Sequence, residues 1–146
     1  MVTAQENFRR MMTAEVAPAL RRLGFKGSGQ SFTMPSEDFW ILLGFQKSTS
    51  SNSAEVRFTL NVSVGSKSAW KEARKDRSYL PERPSANVYW GTFIWQERIG
   101  RLLHSGQGQW WRVSADSSTD EIADQVLAAV RDYVLPAIER HVADSP

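Results

Sequence analysis

The groups that could do chemistry are few: two histidines, no cysteine and sixteen carboxylates among 146 residues. Without thiols, disulfides, thiolate nucleophiles and the common structural zinc sites are excluded. His104 has no acidic residue within six positions on either side, and His141 has Glu139 and Asp144 nearby only at the end of the chain. Neither pattern is the clustered His/Asp/Glu spacing of a metal site, so no metal is expected. There is no G-x-S-x-G elbow, no S-x-x-K set and no Walker loop. "GSG" at 27–29 precedes a strand pattern, which points to a turn rather than a phosphate loop at a helix start. Glu37 and Asp38 suit a turn. Asp116, Asp120, Glu121 and Asp124 suit a helix N-terminus, where negative charge is stabilised. No catalytic residue and no cofactor emerge.

What remains is a row of polar side chains. In "EVRFTLNVSV", Arg57, Thr59 and Asn61 alternate with apolar residues and so share one strand face. Gln46 on a neighbouring strand can join them, with Arg98 and Arg112 at the border. Tryptophan is the other conspicuous resource, six in all. Trp40 and Trp70 read as packing. Trp90 and Trp95 flank an irregular segment and are candidates to line a pocket. Trp110 and Trp111 are adjacent, so in a strand they face opposite sides of the sheet; Trp111 with Val113 is expected inward and Trp110 with Arg112 outward. A base-stacking surface needs aromatics interleaved with basic residues. The polar row with Trp110 is the one place where this chain offers that.

These residues need elements to hold them. Thr3 and Glu6 have capping-box spacing, and Phe8, Met12, Val16 and Leu20 recur every four residues, which predicts a helix over 3–23 with Gly24 as its stop. Pro18 should bend it. "FKGSGQSFTMPSEDFWILLGFQKS" reads as two strands joined by "PSED", the second apolar on both faces and therefore central. "EVRFTLNVSV" alternates strictly, as expected for an antiparallel strand with one face on the core and one face wet. Ser66 or Ser68 can cap a short basic helix through Arg74. "SYLPERPSANVYWG" is proline-punctuated and long for a connection, which makes it a candidate functional loop. "TFIWQERIGRLL" fits either element and is read as a short helix; "QWWRVS" is read as a strand. Ser118 and Glu121 suggest a second capping box, opening a helix to about 142 that Pro136 bends late. "VAPALRR" and "VLPAIER" share a pattern, the same bend in two helices.

The chain length suits one domain, spanning 1–146, of ordinary composition. The formal charge of +2 is close to neutral, so the basic pI of 9.2 carries little weight. The start of the chain lacks the apolar run of a signal peptide, and "FWILLGF" is too short to cross a bilayer. A cytoplasmic protein with no membrane association is the expectation.

"LRRLGFKGSGQSF", "GFQKS", "EVRFTLNV", "WQERIGRL" and "WWRV" follow one another in an order that resembles a bacterial family, domain of unknown function 4304. The resemblance covers roughly residues 16 to 113, and "YVLPAIE" in the closing helix is also typical of it. It implies no catalytic residues.

The expected architecture is α+β: two layers, an antiparallel sheet of four or five strands packed by long N- and C-terminal helices on the face carrying Phe58, Leu60 and Val62. The expected function is a non-enzymatic binding or accessory module, regulatory or immunity-like, with a protein or a small ligand as partner. A single-stranded nucleic-acid binder using the polar sheet face is one alternative; a small-molecule pocket between the sheet and the "YLPERPSANVYWG" loop is another.

Overall fold

The computed structural model describes residues 2–91, 94–103 and 110–144. His104, residues 105–109, and Thr92 and Phe93 lie outside the described residues.

Helix α1 covers 4–22. The Thr3 hydroxyl accepts the Glu6 N–H at 3.1 Å, satisfying one of the donors a helix start leaves open. At its end Gly24 takes a φ of 104°, and Phe25 N–H returns to the Leu20 carbonyl, the left-handed glycine stop the sequence predicts. Helix α4 covers 120–144. Both helices contain a π-helical turn, Met12–Val16 and Val130–Val134, placed just before Pro18 and Pro136. In the first, Ala17 N–H reaches back five residues to the Met12 carbonyl; in the second, Leu135 N–H reaches Val130. A proline inside a helix lacks an N–H and crowds the carbonyl four residues earlier. Widening the preceding turn by one residue accommodates both problems, so the shared "VxPA" pattern encodes a π-turn rather than a simple bend.

Among the described residues six antiparallel strands form one sheet: β1 Lys26–Ser28, β2 Ser31–Thr33, β3 Phe39–Lys47, β4 Glu55–Ser66, β5 Trp95–Arg98 and β6 Trp111–Ser114. The count exceeds the expected four or five for two reasons. "FKGSGQSFT" is itself a hairpin, β1–β2, turning at Gly29 with φ 64°. The free edge of β4 is shared end to end by β5, paired with Asn61–Val64, and β6, paired with Glu55–Phe58. The expected helix over 94–103 is therefore corrected: Trp95–Arg98 is strand and only Ile99–Leu102, α3, is helical. The spacing of Trp95, Ile99 and Leu102 runs across that junction and imitates a helical stripe. The second capping box is not formed either. Thr119 is the N-cap of α4, and its hydroxyl is engaged by Glu15 and Arg10 of α1 instead, tying the two long helices together.

One sheet face carries Phe45, Val56, Phe58, Leu60, Val62 and Val113, all buried against α1 and α4. Aromatic rings run across it: Phe58 lies 4.9 Å from Phe8, 6.3 Å from Phe45 and 5.5 Å from Trp111, centroid to centroid. The opposite face was expected to be wet; its middle is covered instead, while Lys26 and Arg112 at its margins stay exposed. Helix α2, Lys67–Asp76, packs Trp70 against Leu80 and Ile94 over one end of it, and residues 77–91 cross its middle. Thr59 and Ser63 are fully buried and Asn61 is 9% exposed. Two glycines allow this close cover. A Cβ on Gly44 would stand 2.2 Å from Asn87 Oδ1, and one on Gly65 would stand 2.2 Å from Ile94 Cγ2.

Candidate functional site

Strand register gathers the polar side chains. Across β3, β4 and β5, Gly44 is opposite Asn61 and Asn61 opposite Arg98, while Gln46 is opposite Thr59 and Ser63 opposite Gln96. Partners opposite one another point to the same side. From above, Ala86–Tyr89 closes over them and leaves a pocket of about 220 Å3 lined on the sheet side by Gln46, Asn61, Gln96 and Arg98.

A continuous hydrogen-bond network organises the pocket. Asn61 Nδ2 donates to Gln46 Oε1 at 2.8 Å and to Asn87 Oδ1 at 2.9 Å. Arg98 donates through Nε to Asn61 Oδ1 at 3.2 Å and through Nη2 to Gln46 Oε1 at 3.1 Å. Asn87 Nδ2 reaches the Phe45 carbonyl at 3.3 Å. Gln96 spans sheet and loop: its Nε2 donates to Ser63 Oγ and the Val88 carbonyl, and its Oε1 accepts the Trp90 N–H at 2.8 Å. Four side-chain amides and one guanidinium thus converge. Amides neither titrate in the physiological range nor act as nucleophiles; they recognise donors and acceptors. Glu97, the carboxylate on the rim, points its charge at Arg101, 3.3 Å away.

Of the residues singled out in the sequence, Gln46, Asn61 and Arg98 come together in this pocket. Thr59 lies on the same face, buried. Arg57 and Arg112 are direct cross-strand partners beyond the pocket, Arg112 exposed and Arg57 half-buried with its Nε lacking an acceptor. Trp111 is 4% exposed in the main core with Val113, while Trp110 is half-buried on the other side with the Arg98 guanidinium 5.4 Å from its ring centre. That is the inward and outward arrangement expected. Trp90 and Trp95 do not share a pocket. Trp90 packs edge-on against Trp70 at 5.4 Å, whereas Trp95 faces α4 and stacks on His141 at 3.8 Å. Burial against Trp95 and the charge of Arg140 hold the His141 imidazole below its ordinary pKa.

Asn87, Gln96 and Ser63 were not singled out. The loop length marked the region of Asn87, and Ser63 already alternated with Asn61. Gln96 was hidden by the helical reading of its strand. Among the described residues no group of three or more His, Cys, Asp or Glu is placed to hold a metal ion, and no helix is long and apolar enough to cross a membrane.

An antiparallel sheet with two long helices on one face and an amide-lined, loop-covered pocket on the other defines an α+β fold. Residues 16–140 match the family described as Domain of unknown function (DUF4304), and the chain belongs to that family. No curated protein and no solved structure matches it.

Proposed function

We propose that the protein is a non-enzymatic binding module whose ligand is a small polar molecule held between the sheet and residues 86–89. One observation carries the reading: Gln46, Asn61, Asn87 and Gln96 converge with Arg98 on a cavity whose chemistry is hydrogen-bond recognition. At about 220 Å3 the cavity is smaller than drug-sized pockets of roughly 300–1,000 Å3, so the ligand is of about amino-acid size. Arg98 supplies a fork for a carboxylate or other acceptor, and the amides read neighbouring donors and acceptors. Thermal shift against a panel of small zwitterionic, amide and sugar compounds tests this. A true ligand raises the melting temperature of the intact protein, and Arg98→Met or Gln46→Ala removes the shift while leaving the circular dichroism unchanged. Hits indifferent to both substitutions, or turnover of a substrate that is lost on mutating a carboxylate, would refute it.

A protein partner is the second reading, and the same loop favours it. Tyr79, Val88 and Tyr89 are exposed large apolar side chains, Tyr89 at 80%, and all three belong to 77–91. Exposed apolar side chains on one segment beside a polar pocket suit a docking surface. Tyr79→Ser separates the two readings, because Tyr79 is exposed and outside the pocket lining: it weakens partner binding and spares small-ligand shifts that depend on Arg98.

A further inference from the structure

On the other side of Ala86 a second and larger groove, about 770 Å3, runs between the β1–β2 hairpin and residues 83–86. Three cations from three separate elements line it: Lys26 on the edge strand β1, Lys67 at the start of α2 and Arg83 on the loop. No carboxylate is among its lining residues. Trp40 forms part of its wall, with Lys67 Nζ 4.8 Å and the Arg83 guanidinium 5.6 Å from the ring centre. Ring and cations thus hold one another in place. The Trp40 indole N–H is shielded from water and has no acceptor.

None of the three cations forms an ion pair among the described residues. Lys67 Nζ donates to the Ser36 carbonyl at 2.6 Å and Arg83 to the Thr33 hydroxyl, so both are ordered by neutral partners rather than by a carboxylate. Glu37 and Asp38 line a separate depression, which Lys67 also borders. Unspent N–H donors remain on both side chains, since an ammonium has three and a guanidinium five. Like charges fixed around one concave surface repel, and an anion bound among them removes that cost.

We propose that this groove binds a phosphate-bearing small molecule of nucleotide size, its phosphate oxygens taken by Arg83, Lys67 and Lys26. The volume lies within the range of sites for such ligands. The guanidinium fork matches phosphate oxygens two at a time. The site is distinct from the amide pocket, so its failure leaves the proposal above untouched.

Titration of the intact protein with sodium pyrophosphate and with ATP, followed by calorimetry at low and at physiological salt, is the test. Saturable one-to-one binding that weakens with salt is expected. Lys67→Gln and Arg83→Gln should each weaken it about tenfold, while Arg131→Gln, on the exposed side of α4, leaves it unchanged. Urea unfolding of each variant confirms that the fold persists. Absence of saturable binding at millimolar ligand overturns the proposal, as does equal binding by Lys67→Gln/Arg83→Gln. So does binding confined to single-stranded oligonucleotides with affinity that grows with length, which would make the groove part of a strand-binding track.

Discussion

Gly44→Ala tests how residues 77–91 sit on the sheet. The added Cβ would stand 2.2 Å from Asn87 Oδ1, 2.8 Å from its Cγ and 3.1 Å from Ala86 Cβ. Asn87 must swing away, losing the 2.9 Å bond from Asn61 and its own 3.3 Å bond to the Phe45 carbonyl. Both former partners keep another bond: Asn61 Nδ2 still donates to Gln46, and the Phe45 carbonyl still accepts from Gln30 at 2.9 Å. The loss therefore stays near the ordinary value, about 1–3 kcal/mol for two bonds. Alanine recovers about 0.4–1 kcal/mol by restricting the unfolded chain, as Gly44 has no positive φ to forbid it. The net cost is about 0–2.6 kcal/mol, centred a little above 1 kcal/mol, read from urea midpoints at constant m. Asn87→Ala loses the same two bonds, and adding Gly44→Ala to it then meets no amide oxygen. The double variant should be no less stable than Asn87→Ala alone, a coupling of at least about 1 kcal/mol. Additive costs would show that Asn87 does not lie over Gly44, and the pocket would have to be redrawn.

The adjacent tryptophans separate cleanly by the same measurement. Trp111→Ala removes a core side chain packed on Phe58 and should cost about 3–5 kcal/mol, whereas Trp110→Ala loses mainly a contact with Arg98 and should cost about 1 kcal/mol or less; comparable losses would refute the opposed orientation. His141 predicts a pH dependence. Its folded pKa lies below the ordinary value near 6.5, so the unfolded chain binds more protons in the interval between the two. The stabilisation from neutral His141 is then fully present above about 6.5 and lost as pH falls through the lower folded value. Urea midpoints from acid to neutral pH should rise with pH across that interval, and His141→Gln should flatten the rise; an unchanged slope would mean that the imidazole is not held against Trp95.

Much of the main core was legible because it obeys simple periods. Val56, Phe58, Leu60 and Val62 alternate along β4, and Phe8, Met12, Val16 and Leu20 follow the helical stripe that covers them. The second face was harder to read because its cover is irregular. Residues 77–91 have no period; what places them is the shape match of Asn87 to Gly44 and Ile94 to Gly65, which depends on register between strands far apart in sequence. The same ignorance of register hid Gln96. A strand of four residues running directly into a helix of four offers too few turns of either period to separate them. The proline echo was visible, but its meaning depended on carbonyl positions within the turn, which side-chain patterns do not report.

Net charge misleads about this surface for a related reason. A formal +2 averages both signs over the whole chain, and a linear reading finds no basic stripe. Strand pairing re-sorts the charges. Through the registers Lys26 with Thr33, Thr33 with Leu42, Leu42 with Ser63, Asn61 with Arg98 and Arg57 with Arg112, four cations from four strands come to one face. Among the described strand positions on that face, Glu55 is the one carboxylate. Lys67 and Arg83 add to it from α2 and the loop. Alternation makes this possible without a run of basic residues, since a cation at every second position leaves the intervening positions free for the core. Residues 85–91 then divide the basic face into an amide pocket beside Arg98 and a groove beside Arg83. A ligand carrying both a negative group and hydrogen-bonding groups would find complementary chemistry on either side of that divide. The helix-covered face, closed by Phe8, Phe45, Phe58 and Trp111, offers such a ligand nothing.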